Sequence, residues 1–193
     1  MTELFEAYTP TDHQVAKDLG KFDCYLIGGT AIDYWCNKLG VKKTRHRSNN
    51  DIDFWTFASN PKLASLHKYL NDEGFSFVDG CYMITATRPG QELDILIDYE
   101  RNLPKHLFIK QDGLAIMSPI FLFASKFDRY LNTTNAARKK TDEVDLLQLL
   151  TIIDRLNLTD KFEHFLANNR HYSSAAENKL NELISKYLES HES

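Results

Sequence analysis

A mixed α+β core followed by helices alone is the fold class this sequence predicts. Three observations carry that expectation. Strand and helix patterns interleave up to about residue 117, only helix patterns follow, and no Gly/Ser/Pro-rich stretch separates the two parts. The expected organisation is an α/β core over residues 1–117 and a helical region over 118–193 packed on it.

The elements follow in order. "TPTDHQVAKDLGKF" predicts a helix, capped by Thr11 or Asp12 and ended by Gly20. "DCYLIGG" predicts a short buried strand from Cys24 to Ile27, stopped by two glycines. In "TAIDYWCNKLG", Ala31, Ile32, Trp35 and Leu39 recur near helical spacing and Gly40 closes the run. "VKKTRHRSNN" is a polar, basic loop, and "DIDFWTF" is a strand. "NPKLASLHKYLNDEGF" predicts a helix with proline in its first turn and Gly74 past its end. Two "DG" pairs predict hairpins, in "SFVDGCYMITATRPG" and "LFIKQDGLAIMS", with the strand "QELDILIDYE" between them. "SPIFLFASKFDRYL" opens the helical part with a serine cap and a proline at the first helical position. "TDEVDLLQLLTIIDRLN", "LTDKFEHFLANN" and "SAAENKLNELISKYLES" complete it.

Composition narrows the class. The chain has 193 residues, 42% of them hydrophobic, enough for a packed core. A formal net charge of −4 supplies no global basic field, so a nucleic-acid contact would need a local patch. No run is apolar enough to span a membrane, and the polar N-terminus "MTELFEAYTPTDHQ" does not resemble a signal peptide. Cys24, Cys36 and Cys81 are odd in number and scattered, which predicts reduced thiols and a cytoplasmic setting.

The chemistry concentrates on two strands. Alternation puts Asp51 and Asp53 on one strand face, with Cα atoms roughly 6–7 Å apart, and Ile52 and Phe54 on the other. Two such charges at ~4 Å would repel by ~4 kcal/mol at an effective dielectric of ~20. A divalent cation removes that cost, and Mg²⁺ favours a few carboxylates together with substrate phosphates; the wet side of a half-exposed strand would also tolerate both acids. In "ELDILID", Glu92, Asp94 and Asp98 share a face. Asp94, mid-strand between apolar neighbours, is the candidate third acid if this strand pairs beside the first. In "LIGGT", Gly28 and Gly29 permit a sharp turn and close approach of a ligand, and Thr30 stands at or near a helix N-terminus that favours phosphate. The loop carrying Lys42, Lys43, Arg45, His46 and Arg47 precedes the acidic pair, and Arg47 is the best placed to meet phosphate charge.

Taken together, "GGTAIDYW", "RSNNDIDFW" and "LDILID" resemble the nucleotidyltransferase superfamily related to DNA polymerase β. Within it they resemble the AbiEii-like branch that includes the MenT-type toxins. That branch also carries a helical lysine and a later Lys-Asp-x-x-Asp-Leu, matched here by Lys126 in "LFASKFDRY" and by Lys140, Asp142 and Asp145 in "KKTDEVDLLQLL". The resemblance covers roughly residues 24 to 150. The chain departs from the pattern in a longer stretch between the glycines and the acids, in Asn49 at a Ser/Thr position, and in one extra residue between Lys140 and Asp142.

The resemblance implies a small mixed sheet flanked by helices with a C-terminal helical bundle. It implies nucleotide transfer from a nucleoside triphosphate to an acceptor hydroxyl. Asp51, Asp53 and Asp94 would hold Mg²⁺ or Mn²⁺, with Asp94 also drawing the acceptor's proton. Gly28, Gly29 and Thr30 would cradle the triphosphate, which Arg47 and Lys126 would neutralise. Asp145 would orient Lys126 or the acceptor. For Lys126 a surface position on an amphipathic helix, and for Asp142 and Asp145 a place in a helix's first turn, are the alternative roles. The acceptor would be an RNA or tRNA end, as in a toxin countered by an antitoxin protein, with an exposed "AARKK" at 136–140 available to RNA. A small-molecule acceptor of the aminoglycoside or lincosamide type, or a non-catalytic nucleotide-binding module, are the alternatives.

Overall fold

The computed structural model describes residues 10–42, 51–99, 107–111, 113–168 and 174–190. They form α1 (Pro10–Gly20), β1 (Tyr25–Leu26), α2 (Gly28–Leu39), β2 (Asp51–Phe57), α3 (Leu63–Asp72), β3 (Ser76–Asp79), β4 (Met83–Arg88) and β5 (Gln91–Asp98). β6 (Phe108–Gln111), β7 (Leu114–Met117), α4 (Pro119–Asn132), α5 (Ala136–Arg155), α6 (Thr159–Asn168) and α7 (Ser174–Glu189) follow. The residues divide into two compact units, one of 1–34 with 46–118 and one of 35–45 with 119–193.

The first unit is built on a seven-stranded mixed sheet in the order β3-β4-β5-β2-β1-β7-β6. β2 runs parallel to β5 and antiparallel to β1, while β1 runs parallel to β7. Hairpins pair β3 with β4, β4 with β5 and β6 with β7. One face carries Ile52, Phe54, Ile84, Ala86, Leu93 and Ile95, all buried. α1 contacts β1 and β7, and α3 contacts β3, each burying its apolar stripe, with Leu19 on α1 and Leu66 and Leu70 on α3 inaccessible.

Buried polar groups at the end of β2 are satisfied locally. Asn60 Nδ2 donates to Phe22 O at 2.7 Å and to Thr56 Oγ1 at 2.8 Å, and Thr56 Oγ1 donates to Asp23 O at 3.1 Å. This ties the 22–23 corner, where Asp23 takes a positive φ, to the start of α3. All three cysteines are free, and burial pushes the Cys24 thiol up to about 12.

Several boundaries differ from the sequence expectation. α1 already includes Pro10, so Thr11 and Asp12 lie in its first turn rather than capping it. The strand predicted over Cys24–Ile27 shortens to Tyr25–Leu26. Pro61 precedes α3 instead of sitting in its first turn; Asn60 Oδ1 accepts from Lys62 N at 2.9 Å and sets the helix entry. α5 begins at Ala136, five residues before "TDEVD", because Asn135 caps it by accepting from Arg138 N at 3.0 Å.

The second unit is all helical among its described residues. α5 contacts α4, α6 and α7. Its core includes Phe123, Phe127, Leu146, Leu149, Ile152 and Phe162, with Phe123 and Phe162 edge to face at 4.8 Å. No described helix is long and apolar enough to cross a membrane.

Candidate active site

The register of β2 against β5 builds the site. Asp51 lies beside Glu92, Ile52 beside Leu93, and Asp53 beside Asp94. Laterally paired residues point to the same side of a sheet, so the alternation in both strands sums. Ile52, Phe54, Leu93 and Ile95 line the buried face, while Asp51, Asp53 and Asp94 are half-buried and Glu92 is exposed on the other. Asp53 and Asp94 stand on adjacent strands, roughly 4.8 Å apart in the sheet direction. The pairing of the two acidic strands, conditional in the sequence, is thus realised.

The third row is β4. Thr85 lies opposite Asp94, and its Oγ1 donates to Asp94 Oδ1 at 2.8 Å. That bond fixes the rotamer of the Asp94 carboxylate.

On the other side of the acids stands the N-terminus of α2. Gly28 takes a φ of 67°, and a Cβ placed there would lie 2.0 Å from Asp53 Oδ2. Only glycine meets both demands. Ile27 N donates to Asp53 O at 2.9 Å, and Thr30 Oγ1 donates to Asp51 O at 3.4 Å. The positive end of the α2 dipole therefore lies against the Asp53 carboxylate.

This arrangement changes the reading of "GGT". The helix begins at Gly28 itself, so Gly28 and Gly29 form its first turn and Thr30 is its third residue. Thr30 is fully buried and its hydroxyl donates to the β2 backbone at Asp51 O. The backbone N–H groups of the turn keep the anion-binding character of a helix start. Arg47, Asn49 and the basic residues Lys43, Arg45 and His46 lie outside the described residues.

Lys126, Asp142 and Asp145 belong to the second unit and form a buried network there. Lys126 Nζ donates to Asp145 Oδ2 at 2.6 Å and lies 3.7 Å from Asp142 Oδ1. Arg129 donates to both oxygens of Asp142, Nε to Oδ2 at 2.9 Å and Nη2 to Oδ1. Asp142 is 0% and Asp145 1% exposed, and Lys126 is buried, which removes the surface-lysine alternative. Burial pushes the Lys126 pKa below the ordinary lysine value, while Asp145 pulls it back up. Asp142 and Asp145 sit in the second and third turns of α5, so the first-turn dipole role does not apply to them.

The carboxylate face fits a hard divalent cation in its donor chemistry: oxygen donors only, two on one strand face and a third in lateral register. Among the described residues, no group of three or more His, Cys, Asp or Glu side chains converges closely enough to hold a metal. Sequence reasoning missed Thr85 and Arg129. The first was legible as the residue that a hairpin over "TRPGQ" sets opposite Asp94, and the second as the i+3 companion of Lys126.

With sheet order, register and acidic face in view, the class follows: the chain has a nucleotidyltransferase-type fold. Three solved structures share it. ANT(2″)-Ia, solved in complex with adenylyl-2″-tobramycin, matches over 81% of this chain and 98% of its own, at a TM-score of 0.53 and 16% identity. The lincosamide antibiotic adenylyltransferase LnuA, solved with lincomycin, matches over 76% of this chain and 99% of its own, at 0.51 and 15%. The Megavirus polyadenylate synthase matches over 73% of this chain at 0.52 and 20%, and there the match spans only 31% of the neighbour. These likenesses support the superfamily's fold and do not single out the AbiEii/MenT-like branch. No family model matches the chain, and no curated protein matches it.

Proposed function

We propose that the protein transfers a nucleoside monophosphate from a nucleoside triphosphate to an acceptor hydroxyl, with a divalent metal, Mg²⁺ or Mn²⁺. The single observation carrying this is the lateral register of Asp53 and Asp94 beneath a helix N-terminus that only Gly28 permits. Asp51 and Asp53 hold the cation, which when bound supplies charge neutralisation at the phosphates. The N–H groups at the start of α2 receive phosphate oxygens. Asp94, held by Thr85, accepts the acceptor's proton. Arg47 adds a cation to the triphosphate. Lys126 and Asp145 support the second unit, because an ammonium already met by carboxylates has little charge left for phosphate.

An RNA or tRNA end as acceptor, a toxin role and an antitoxin partner draw on the motif resemblance and on the exposed 136–140 stretch, which opens α5. The test is a thermal shift with each nucleoside triphosphate and Mg²⁺ or Mn²⁺, followed by label transfer from the α-phosphate. A metal-dependent rise in melting temperature with at least one nucleotide is the expected result. No shift with any pair would overturn the assignment.

A further inference from the structure

We infer that two copies of this chain join edge to edge through β3, with Val78 at a two-fold axis, so that their sheets run on as one. The inference is independent of the nucleotidyl-transfer reading. It starts from the two ends of the sheet. β3 and β6 are its edge strands, and among the described residues no strand lies beyond either. An open edge is a row of unpaired N–H and C=O groups, which chains guard with lysine, proline, a bulge or a covering element. β6 carries Lys110, whose side chain is 73% exposed. β3 reads Ser76-Phe77-Val78-Asp79, without lysine or proline. Its register against β4 runs one to one from Ser76 beside Thr87 to Asp79 beside Ile84, so it has no bulge. Its single charged side chain, Asp79, lies 3.4 Å from His67 Nε2 on α3. Val78, in the middle of the strand, is 74% exposed.

Alternation fixes the register of the joint. Gly80 N donates to Met83 O at 2.9 Å, which closes the β3–β4 hairpin on a hydrogen-bonded pair. Bonded and non-bonded pairs alternate along an antiparallel ladder. Val78 and Ser76 therefore turn their backbone groups to β4, and Phe77 and Asp79 turn theirs outward. These outward groups lie symmetrically about Val78. A second β3 laid antiparallel, valine against valine, sets each Phe77 beside the Asp79 of the other copy. All the outward groups of the strand then find partners. A slip of one residue would set outward groups against inward ones and leave them unmatched. At the axis the two valines form a non-bonded pair, the kind in which side chains approach closest. The contact is isologous and closes at two copies.

The same symmetry places the acids. An axis normal to the sheet keeps both open faces on one side. The row Asp94, Thr85, Val78 continues into Val78, Thr85 and Asp94 of the second copy. Counting strand spacings along that row puts the two Asp94 residues ~24 Å apart. That exceeds the Debye length of ~8 Å at physiological salt, so the two acidic faces do not oppose the joint. A joint of one short strand per copy stays below the ~1,200 Å² of a stable interface, so the dimer is reversible.

The experiment is sedimentation equilibrium of the full chain across a wide concentration range. The weight-average mass should rise with concentration from 22.3 kDa toward twice that value. V78K sets two ammonium groups against each other at the axis and should raise the dissociation constant about tenfold or more. Its melting temperature at low concentration should stay unchanged, because residue 78 is exposed. V78I should keep the dimer. The register is read with V78C in a C81S background, where Cys24 and Cys36 are buried. A non-bonded pair at about 4.5 Å between Cα atoms is within disulfide reach, so oxidation should give a cross-linked dimer that C81S alone does not. A mass of one chain at every concentration would overturn the inference. So would a dimer that V78K leaves intact or that V78C fails to trap, since it forms through another surface. Should V78K also lower the melting temperature, the V78C trap decides alone.

Discussion

The molecule holds its acidic residues in two opposite ways. On β2 and β5, Asp51, Asp53 and Asp94 are half-buried on an open strand face. On α5, Asp142 and Asp145 are buried and spent on Arg129 and Lys126. Carboxylates of the first kind lie on a strand face that is only half-buried. Those of the second kind have their charge consumed in the fold, where low dielectric makes each pair costly to break. Position on the element decides which it is: a strand face can be left open, while α5 contacts α4, α6 and α7.

Removing one acid from each region tests this contrast. Asp53→Asn should abolish nucleotide transfer, by a factor of about 10³ or more, while the melting temperature stays unchanged or rises as repulsion is relieved. Steady-state label transfer and a thermal melt decide it, and full activity would sink the metal assignment. Lys126→Met should do the reverse on stability. It leaves Asp145 buried without its ammonium, at a cost of about 3–5 kcal/mol in a denaturant titration. The same loss should shrink in the double variant Lys126→Met/Asp145→Leu, because no uncompensated charge remains. A double variant as unstable as the single one would show that the pair is not the reason.

How much of this was legible follows the same division. Alternation in "DIDFW" and "ELDILID" foretold the acidic and apolar faces, because strand periodicity is local. The lateral register that joins the two strands is not local, and it could only be stated as a condition. The hairpins were legible from "DG", and the helical run after residue 118 from its periodicity. The burial of Lys126 was not, because it depends on packing within the helical unit and a lysine on an amphipathic helix reads equally well as a surface residue. The "GGT" turn is legible by residue type, not by distance. The sequence could not show that the space a Gly28 side chain would fill already belongs to Asp53 Oδ2.

Gly28→Ala probes that space. A methyl group there meets a carboxylate oxygen and forces a positive φ on a residue with a Cβ, so a loss of about 2–4 kcal/mol is expected. The instructive comparison is Gly28→Ala with and without Asp53→Ala, read by denaturant midpoint. Truncating Asp53 should return the part due to collision and leave the part due to φ, about 1–2 kcal/mol. No recovery in the double variant would mean that the carboxylate does not occupy that space.

The smallest expected effect separates the acids within the open face. Thr85→Val keeps the β-branched shape on β4 and removes the hydroxyl that Asp94 accepts from at 2.8 Å. One hydrogen bond to a part-exposed carboxylate is worth about 1 kcal/mol or less to stability, so folding should barely change. The kinetic effect should exceed the stability effect, because Asp94 loses its fixed rotamer at the point where a proton is taken. A fall in kcat of about tenfold with KM for the nucleotide unchanged would mark Thr85 as a positioning residue. Equal small losses in stability and rate would reduce it to a strand residue that happens to face an acid, and Asp94 would then stand closer in kind to Glu92 than to Asp53.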